Sequence, residues 1–307
     1  MNAIATPALF DLNATPEEIS VPSISGAAML VELSISTWSG RKLDRAASRD
    51  ITSRNNAKES AARVNKKLMG DCEELEAIIK FAANTRTLHY SMTVPWSDSG
   101  LRIVTTDRYF KYVESITTCE TEYHRLTVQF LQAYEWEIAE AQVDLQNLFN
   151  RDDYPTLSAL AHKFKFRMNA MPLPEVGDFR VDMSSKALAL VKEQYKKFYS
   201  EQISNAMQHV WKNTYKVLAN MSERLDYVGR EDRKKFHDTL VDNVREQLDM
   251  LKSYNLTGDM QMTAQTNALE EALLGVTPDA LREDDYLRRQ TKMKVDAVLK
   301  TLPSLDM

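Results

Sequence analysis

The sequence has little that punctuates a chain. Its 307 residues include only 8 glycines and 9 prolines, too few turn formers for a sandwich of many short strands. Charged residues make up 27%, a composition suited to long exposed helices. Cysteine is scarcer still: Cys72 and Cys119 lie far apart in helical contexts, which excludes a disulfide framework and points to two reduced thiols in a cytosolic protein. There is no run of about 18 apolar residues, so no membrane-spanning helix is expected. The opening stretch, MNAIATPALFDLNATPEEISVPSISG, lacks the basic start and apolar centre of a secretory signal. It reads as a flexible or loosely docked arm over residues 1–28.

The chemistry-bearing patterns are missing as well. His89, His124, His162, His209 and His237 never recur at i,i+3 or i,i+4, and neither cysteine has a partner at ligand spacing, so no metal is expected. Scattered glycines form no loop to cradle a nucleotide, and no nucleophile elbow or kinase constellation occurs; no cofactor and no catalytic residue is expected. Two acidic clusters, RDDYP (151–155) and REDDY (282–286), set Asp152, Asp153, Asp284 and Asp285 beside an arginine and a tyrosine. A two-metal hydrolase would need several such carboxylates converging on one cation. Both clusters lie where helices begin or end, however, and capping of free N–H groups is the role expected of them.

What is present is mostly helical periodicity. The alternation in MLVELSIST from Met29 predicts a strand, and ISTWSGRK (35–42) then places one tryptophan and a Ser-Gly turn ahead of a basic run. That motif lacks the glycine density and the Lys-Ser/Thr ending of a phosphate loop. It reads as a hinge: Trp38 packs against the helical body, and Ser39 and Gly40 turn the strand into a basic helix that continues to about Tyr90. TVPWSDSG (93–100) reads as a turn and LRIVT as a short strand.

Two long segments dominate. Between Thr106 and Asn150, Tyr109, Tyr112, Ile116, Cys119, Tyr123, Leu126, Phe130 and Ala133 alternate steps of three and four, the spacing of a coiled-coil seam. Between Ser185 and Val228, Leu188, Val191, Tyr195, Phe198, Ile203, Ala206, Val210, Val217 and Leu225 repeat the pattern. Two matching helices most simply pack as an antiparallel pair. In the linker, Asp153 and Pro155 are expected to open a short helix. KFKFR and GDFRVDM alternate as strands, which with the Val31–Thr37 strand would form a small sheet. Past Gly229 come a helix closing at Asn255–Gly258, a second helix, and a final one with Thr277 as N-cap and Pro278 at N1. The expected fold is therefore mainly α: a long antiparallel coiled-coil-like helical pair with additional helices and a small β-sheet at one end. Its divisions would be the arm 1–28, a strand and long-helix body with the small sheet over 29–228, and a C-terminal helical subdomain over 229–307 packed on that body.

Charge is segregated. Residues 41–67 hold nine Lys/Arg against three acids, whereas residues 71–150 hold 13 acids against 6 bases, in a chain of net charge −5. The basic stretch could address single-stranded nucleic acid, and KFKFR and EQYKKFY interleave cations with aromatics as such binders do. Yet a strand would turn the KFKFR phenylalanines inward, and Tyr195 and Phe198 fall on the helical seam, so core roles are favoured.

ISTWSGRK, YSMTVPWSDSGLRIV with YFKYV, FNRDDYP leading to PLPEVGDFRVD, and FHDTLVDNVREQLDMLKSYNLTGD followed by DALREDDYLRR together resemble a family of proteins from phages, plasmids and integrative elements. That family is catalogued as a domain of unknown function. The resemblance runs in order from about residue 30 to about residue 300. It implies a mobile-element origin, and in that family the genes are often found near a MoxR-type AAA+ ATPase and a von Willebrand A-type protein. It brings no catalytic residues. The function expected is that of a non-enzymatic phage or mobile-element protein in the bacterial host cytoplasm, acting through protein contacts as an adaptor or an oligomeric component. The alternative is a single-stranded nucleic-acid-binding or annealing accessory protein. Trp38, Arg41, Lys42, Arg45, Arg49 and Arg54 are the residues expected to meet the partner.

Overall fold

The computed structural model describes residues 26–173, 185–227, 234–256 and 258–303. Most of the expected arm and the whole of the GDFRVDM strand lie outside the described residues. The rest is mainly helical with a small antiparallel sheet. The strands are β1 (Ala28–Ser36), β2 (Arg41–Asp44), β3 (Val64–Lys67), β4 (Val94–Pro95), β5 (Arg102–Thr105) and β6 (Lys165–Pro172). The helices are α1 (Arg45–Arg54), α2 (Glu73–Met92), α3 (Thr106–Leu145), α4 (Leu157–Ala161), α5 (Ser185–Leu225), α6 (Thr239–Ser253), α7 (Met260–Leu273), α8 (Pro278–Glu283) and α9 (Asp285–Thr301). No helix among the described residues is long and apolar enough to cross a membrane.

The chain divides into two compact units. One unit takes Met1–Val31, Thr93–Phe110 and Ala170–Met307; the other takes Glu32–Met92 and Lys111–Asn169. α6 and α9 pack on α5 and share its core.

In the first unit, α5 buries Tyr199, Ile203, Val210, Trp211, Leu218 and Met221 against α6 and α9, and α7 packs on both of those helices. Residues 28–31 of β1 pair antiparallel with β5, which pairs with β4, so the expected LRIVT strand is present and the turn before it contributes a short strand of its own. Thr277 caps α8 through the Ala280 N–H at 3.2 Å, with Pro278 following it, as the sequence predicts. The single final helix is corrected to two. Asp284 ends α8 and accepts from the N–H groups of Tyr286 and Leu287, which restarts the chain as α9.

In the second unit the stripe on α3 is the spine. Tyr112, Ile116, Tyr123, Phe130, Tyr134 and Ile138 are buried along it. Phe166 lies 5.6 Å from the Tyr123 ring and Phe164 lies 5.7 Å from Phe130, while Lys165 and Arg167 are exposed. The alternation in KFKFR therefore does what a half-buried strand requires. The sheet order is β4-β5-β1-β6. The short helix in the linker is opened not by Asp153 and Pro155 but by Thr156, whose hydroxyl accepts from the Ala159 N–H.

The strand-to-helix hinge is also corrected. Between Gly40 and the helix lies β2, and the expected helix from Arg41 to Tyr90 is broken into α1, a 3-10 turn, β3 and α2. Gly40 has φ +61°, and a Cβ there would sit 2.8 Å from Leu75 Cδ2. Its carbonyl accepts from the Leu68 N–H at 2.7 Å, closing the base of the β2–β3 ribbon. Gly40→Ala must adopt a left-handed backbone and push the leucine aside, so it is expected to cost about 1–3 kcal/mol in urea unfolding. A loss within a few tenths would show that the turn accepts an ordinary L-residue.

Candidate functional site

The second unit carries two surfaces of opposite charge. The first is the basic ribbon of β2 and β3, which pair antiparallel with Arg41 opposite Lys67 and Lys42 opposite Lys66. Like charges placed directly across a ladder repel, and one buried carboxylate relieves them. Asp153, 7% exposed at its side chain, sits 2.7 Å from Lys42 Nζ and also pairs with Lys66. Lys66 further donates to the Leu148 carbonyl at 2.8 Å. Burial pushes the Asp153 carboxyl upward, but the hydrogen bonds from Lys42 and Lys66 outweigh it and hold the group below its ordinary value.

The same segment carries α1. Asp44 caps it through the Ala47 N–H at 3.0 Å, and Ser48 Oγ accepts from the Val64 N–H at 2.9 Å, tying helix to strand. Arg41, Arg45 and Arg49 are exposed, and Arg54 pairs with Asp50 on the helix surface. Arg45, Arg49 and Arg63 surround an open cleft of about 380 Å³ with Leu43, Ser48 and Glu59. The six residues expected at the partner surface thus divide. Trp38 is only 8% exposed, its ring 6.2 Å from Phe130 and 6.0 Å from Tyr134, and is therefore a core residue. Lys42 is held by Asp153, and Arg41, Arg45, Arg49 and Arg54 face solvent.

The second surface is an acidic cavity of about 360 Å³. A turn at Gly70 brings Asp71 and Cys72 to the start of α2, whose first turn holds Glu73, Glu74 and Glu76, where the free N–H groups favour negative charge. From α3, Glu137, Glu140 and Asp144 line the opposite wall at near-helical spacing, with the exposed Trp136 beside them. Cys72 Sγ lies 3.7 Å from Glu74 Oε2, and the ligand atoms of Cys72, Glu74 and Glu137 lie within 4.8 Å of one another. Burial pushes the Cys72 thiol up to about 12, and the neighbouring carboxylates push in the same direction. Burial likewise raises Glu137, and Glu74 and Glu140 add to that against the opposing hydrogen bond from Cys72. Spacing rules could not find this group, because Glu137 comes from a different helix far along the chain.

No family model, curated protein or solved structure matches this chain.

The reading of function rests, then, on what these side chains do. Both cysteines are free. Three of the four aspartates in the acidic clusters are engaged structurally, Asp153 with two lysines, Asp284 as a helix cap and Asp285 with the buried Arg288. Asp153 is thus a counter-ion to the ribbon, not the helix cap that its position suggests.

Proposed function

We propose that the chain works without catalysis, as a protein-binding adaptor or oligomeric structural component of the mobile-element type its sequence resembles, in the host cytoplasm. The basic ribbon is its docking element. One observation carries this reading: across residues 41–67, nine side chains are Lys or Arg and only Thr52 is buried. Exposed cations contribute about 0–1 kcal/mol each to folding, and less in salt. A segment that buries so little and concentrates so much charge is not explained by the stability it adds. It suits an anionic protein surface, which the field of the ribbon would steer and orient. The resemblance supplies one candidate, a MoxR-type AAA+ ATPase system; a second copy of the chain, with its own acidic wall, is another.

The triple variant Arg41→Glu, Arg45→Glu, Arg49→Glu leaves Lys42 on Asp153 and so keeps the ribbon anchored. Association of the wild type with itself or with the ATPase is expected to weaken as salt rises, and the variant is expected to lose on the order of tenfold or more in affinity. Wild-type affinity in the triple variant, with unchanged circular dichroism, would remove the ribbon from its proposed role.

Single-stranded nucleic-acid binding is the second reading, favoured by the cleft that Arg45, Arg49 and Arg63 surround, since guanidinium groups suit phosphate. Against it, residues 41–67 contain no aromatic side chain for bases to stack on, and Phe164 and Phe166 are buried. A salt-dependent shift of labelled single-stranded DNA, abolished by the same triple variant, would put this reading first.

The antiparallel pairing of the two long helices belongs to the same proposal. α3 and α5 are 40 and 41 residues long, and each keeps apolar side chains in solvent, Phe110, Val128 and Val143 on one and Leu190 and Phe198 on the other.

A further inference from the structure

We propose that Cys72, Glu74 and Glu137 form a binding site for one divalent transition-metal ion of the zinc class, with water filling the remaining position. The three side chains come from the turn before α2, from its first turn and from the middle of α3, all within the second unit. Their ligand atoms already lie within 4.8 Å of one another on the wall of an open cavity. A tetrahedral ion with zinc-like bond lengths sets its sulfur and oxygen ligands about 3.6 Å apart. Cys72 Sγ and Glu74 Oε2 stand at 3.7 Å.

Glu137 is what separates this group from acids gathered at a helix N-terminus. It is only 8% exposed, it lines the cavity, and no Lys, Arg or His pairs with it among the described residues. The Cys72 thiol donates to Glu74 and lies beside Glu137. One S–H proton cannot serve two carboxylates at once. A buried carboxylate without a counter-charge is costly, and a bound cation removes that cost for both groups. Glu140 and Asp144 add negative charge to the wall, and no basic residue lines the cavity.

The donor set chooses the class of ion. Calcium and magnesium take oxygen ligands and avoid sulfur. A thiolate with carboxylates suits zinc or cobalt, and uptake displaces the thiol proton to solvent as the metal–sulfur bond forms. Such an ion would staple the start of α2 to α3 inside the second unit. The inference is independent of the docking role given to the ribbon.

Titration of the full-length, tag-free, reduced chain with Co2+ tests it through the sulfur-to-cobalt charge-transfer absorption in the near ultraviolet. The expected result is a band that saturates at one ion per chain, is displaced by Zn2+, survives Cys119→Ser and is lost in Cys72→Ser. Glu137→Gln, which preserves shape, is expected to weaken Co2+ binding on the order of tenfold or more with unchanged circular dichroism. No band in the wild type at saturating Co2+, a band that follows Cys119, or wild-type affinity in Glu137→Gln would each overturn the site.

Discussion

Replacing Trp38 with alanine is expected to destabilise the protein by about 3–5 kcal/mol, the range for emptying a buried tryptophan site. The indole is almost wholly enclosed, and it meets Tyr134 edge-on at 80° and Phe130 at a tilt of 35°. Such aromatic contacts contribute about 0.5–1.5 kcal/mol beyond the area they bury. Phe130 in turn touches Phe164, so the cavity left by the alanine opens into the centre of the second unit and cannot be closed by one side chain moving. Urea unfolding followed by circular dichroism should show the loss as a lower midpoint. Trp38→Phe keeps a ring in the site and should lose clearly less. The pair of variants also assigns a role. Trp38→Phe is expected to dock its partner as the wild type does, because the tryptophan holds the ribbon's root in place and does not reach the surface. A loss of docking in Trp38→Phe at full stability would return Trp38 to the interface.

The parts of the fold that the sequence reveals are those whose apolar period is long. The α3 stripe identifies the buried Tyr112, Ile116, Tyr123 and Phe130, the alternation in KFKFR identifies its buried face, and Thr277 with Pro278 marks a helix start. The ribbon is hidden for the opposite reason. RKLD and VNKK are short, polar and paired only with each other, so no alternation of apolar residues marks them as strands. Between them AASRDITSR forms a helix, and its propensity spreads over the neighbours when the segment is read locally. The break at Asp284 is concealed similarly, since an acid between two helical runs looks like part of one helix until its side chain is seen capping the next.

What covers a stripe is harder to read than the stripe itself. Heptad spacing on α3 suggests a second long helix, yet within the second unit Trp38, Phe164 and Phe166 meet its aromatic residues. The stripe on α5 is likewise occupied by α6 and α9. Periodicity reports that a face is buried and is silent on the partner. The candidate sites share this limit. Lys42 and Lys66 find their counter-ion at Asp153, and Cys72 finds Glu137, across separations that no motif spans.

Asp153→Ala is expected to cost about 3 kcal/mol and to loosen the ribbon before anything else. Its carboxylate accepts from two lysines that face each other across the β2–β3 ladder, and Lys66 is itself only 11% exposed. Removing the acid leaves a mostly buried ammonium beside a like charge, and breaking one partner of such a pair costs about 3–5 kcal/mol. The lower end applies because Lys66 keeps the Leu148 carbonyl and has Asp44 at 4.0 Å. Asp153→Asn retains an acceptor and should lose less. The pH dependence follows from the same contacts. Asp153 titrates below its ordinary value in the folded chain, because the lysine hydrogen bonds overcome the effect of burial. As pH falls, the unfolded chain takes up this proton first. The stability from Asp153 is therefore fully present above about pH 5 and is lost as pH falls past 3.8 through the folded value. In Asp153→Asn that share of the acid slope should disappear. Hydrogen exchange at the Lys42 and Lys66 amides, which the register places in the hydrogen-bonded pair of the ladder, reads the event locally, with protection falling in Asp153→Ala while the amides of α3 stay slow. Equal acceleration throughout the second unit would mean that Asp153 holds the whole unit together and not the ribbon alone.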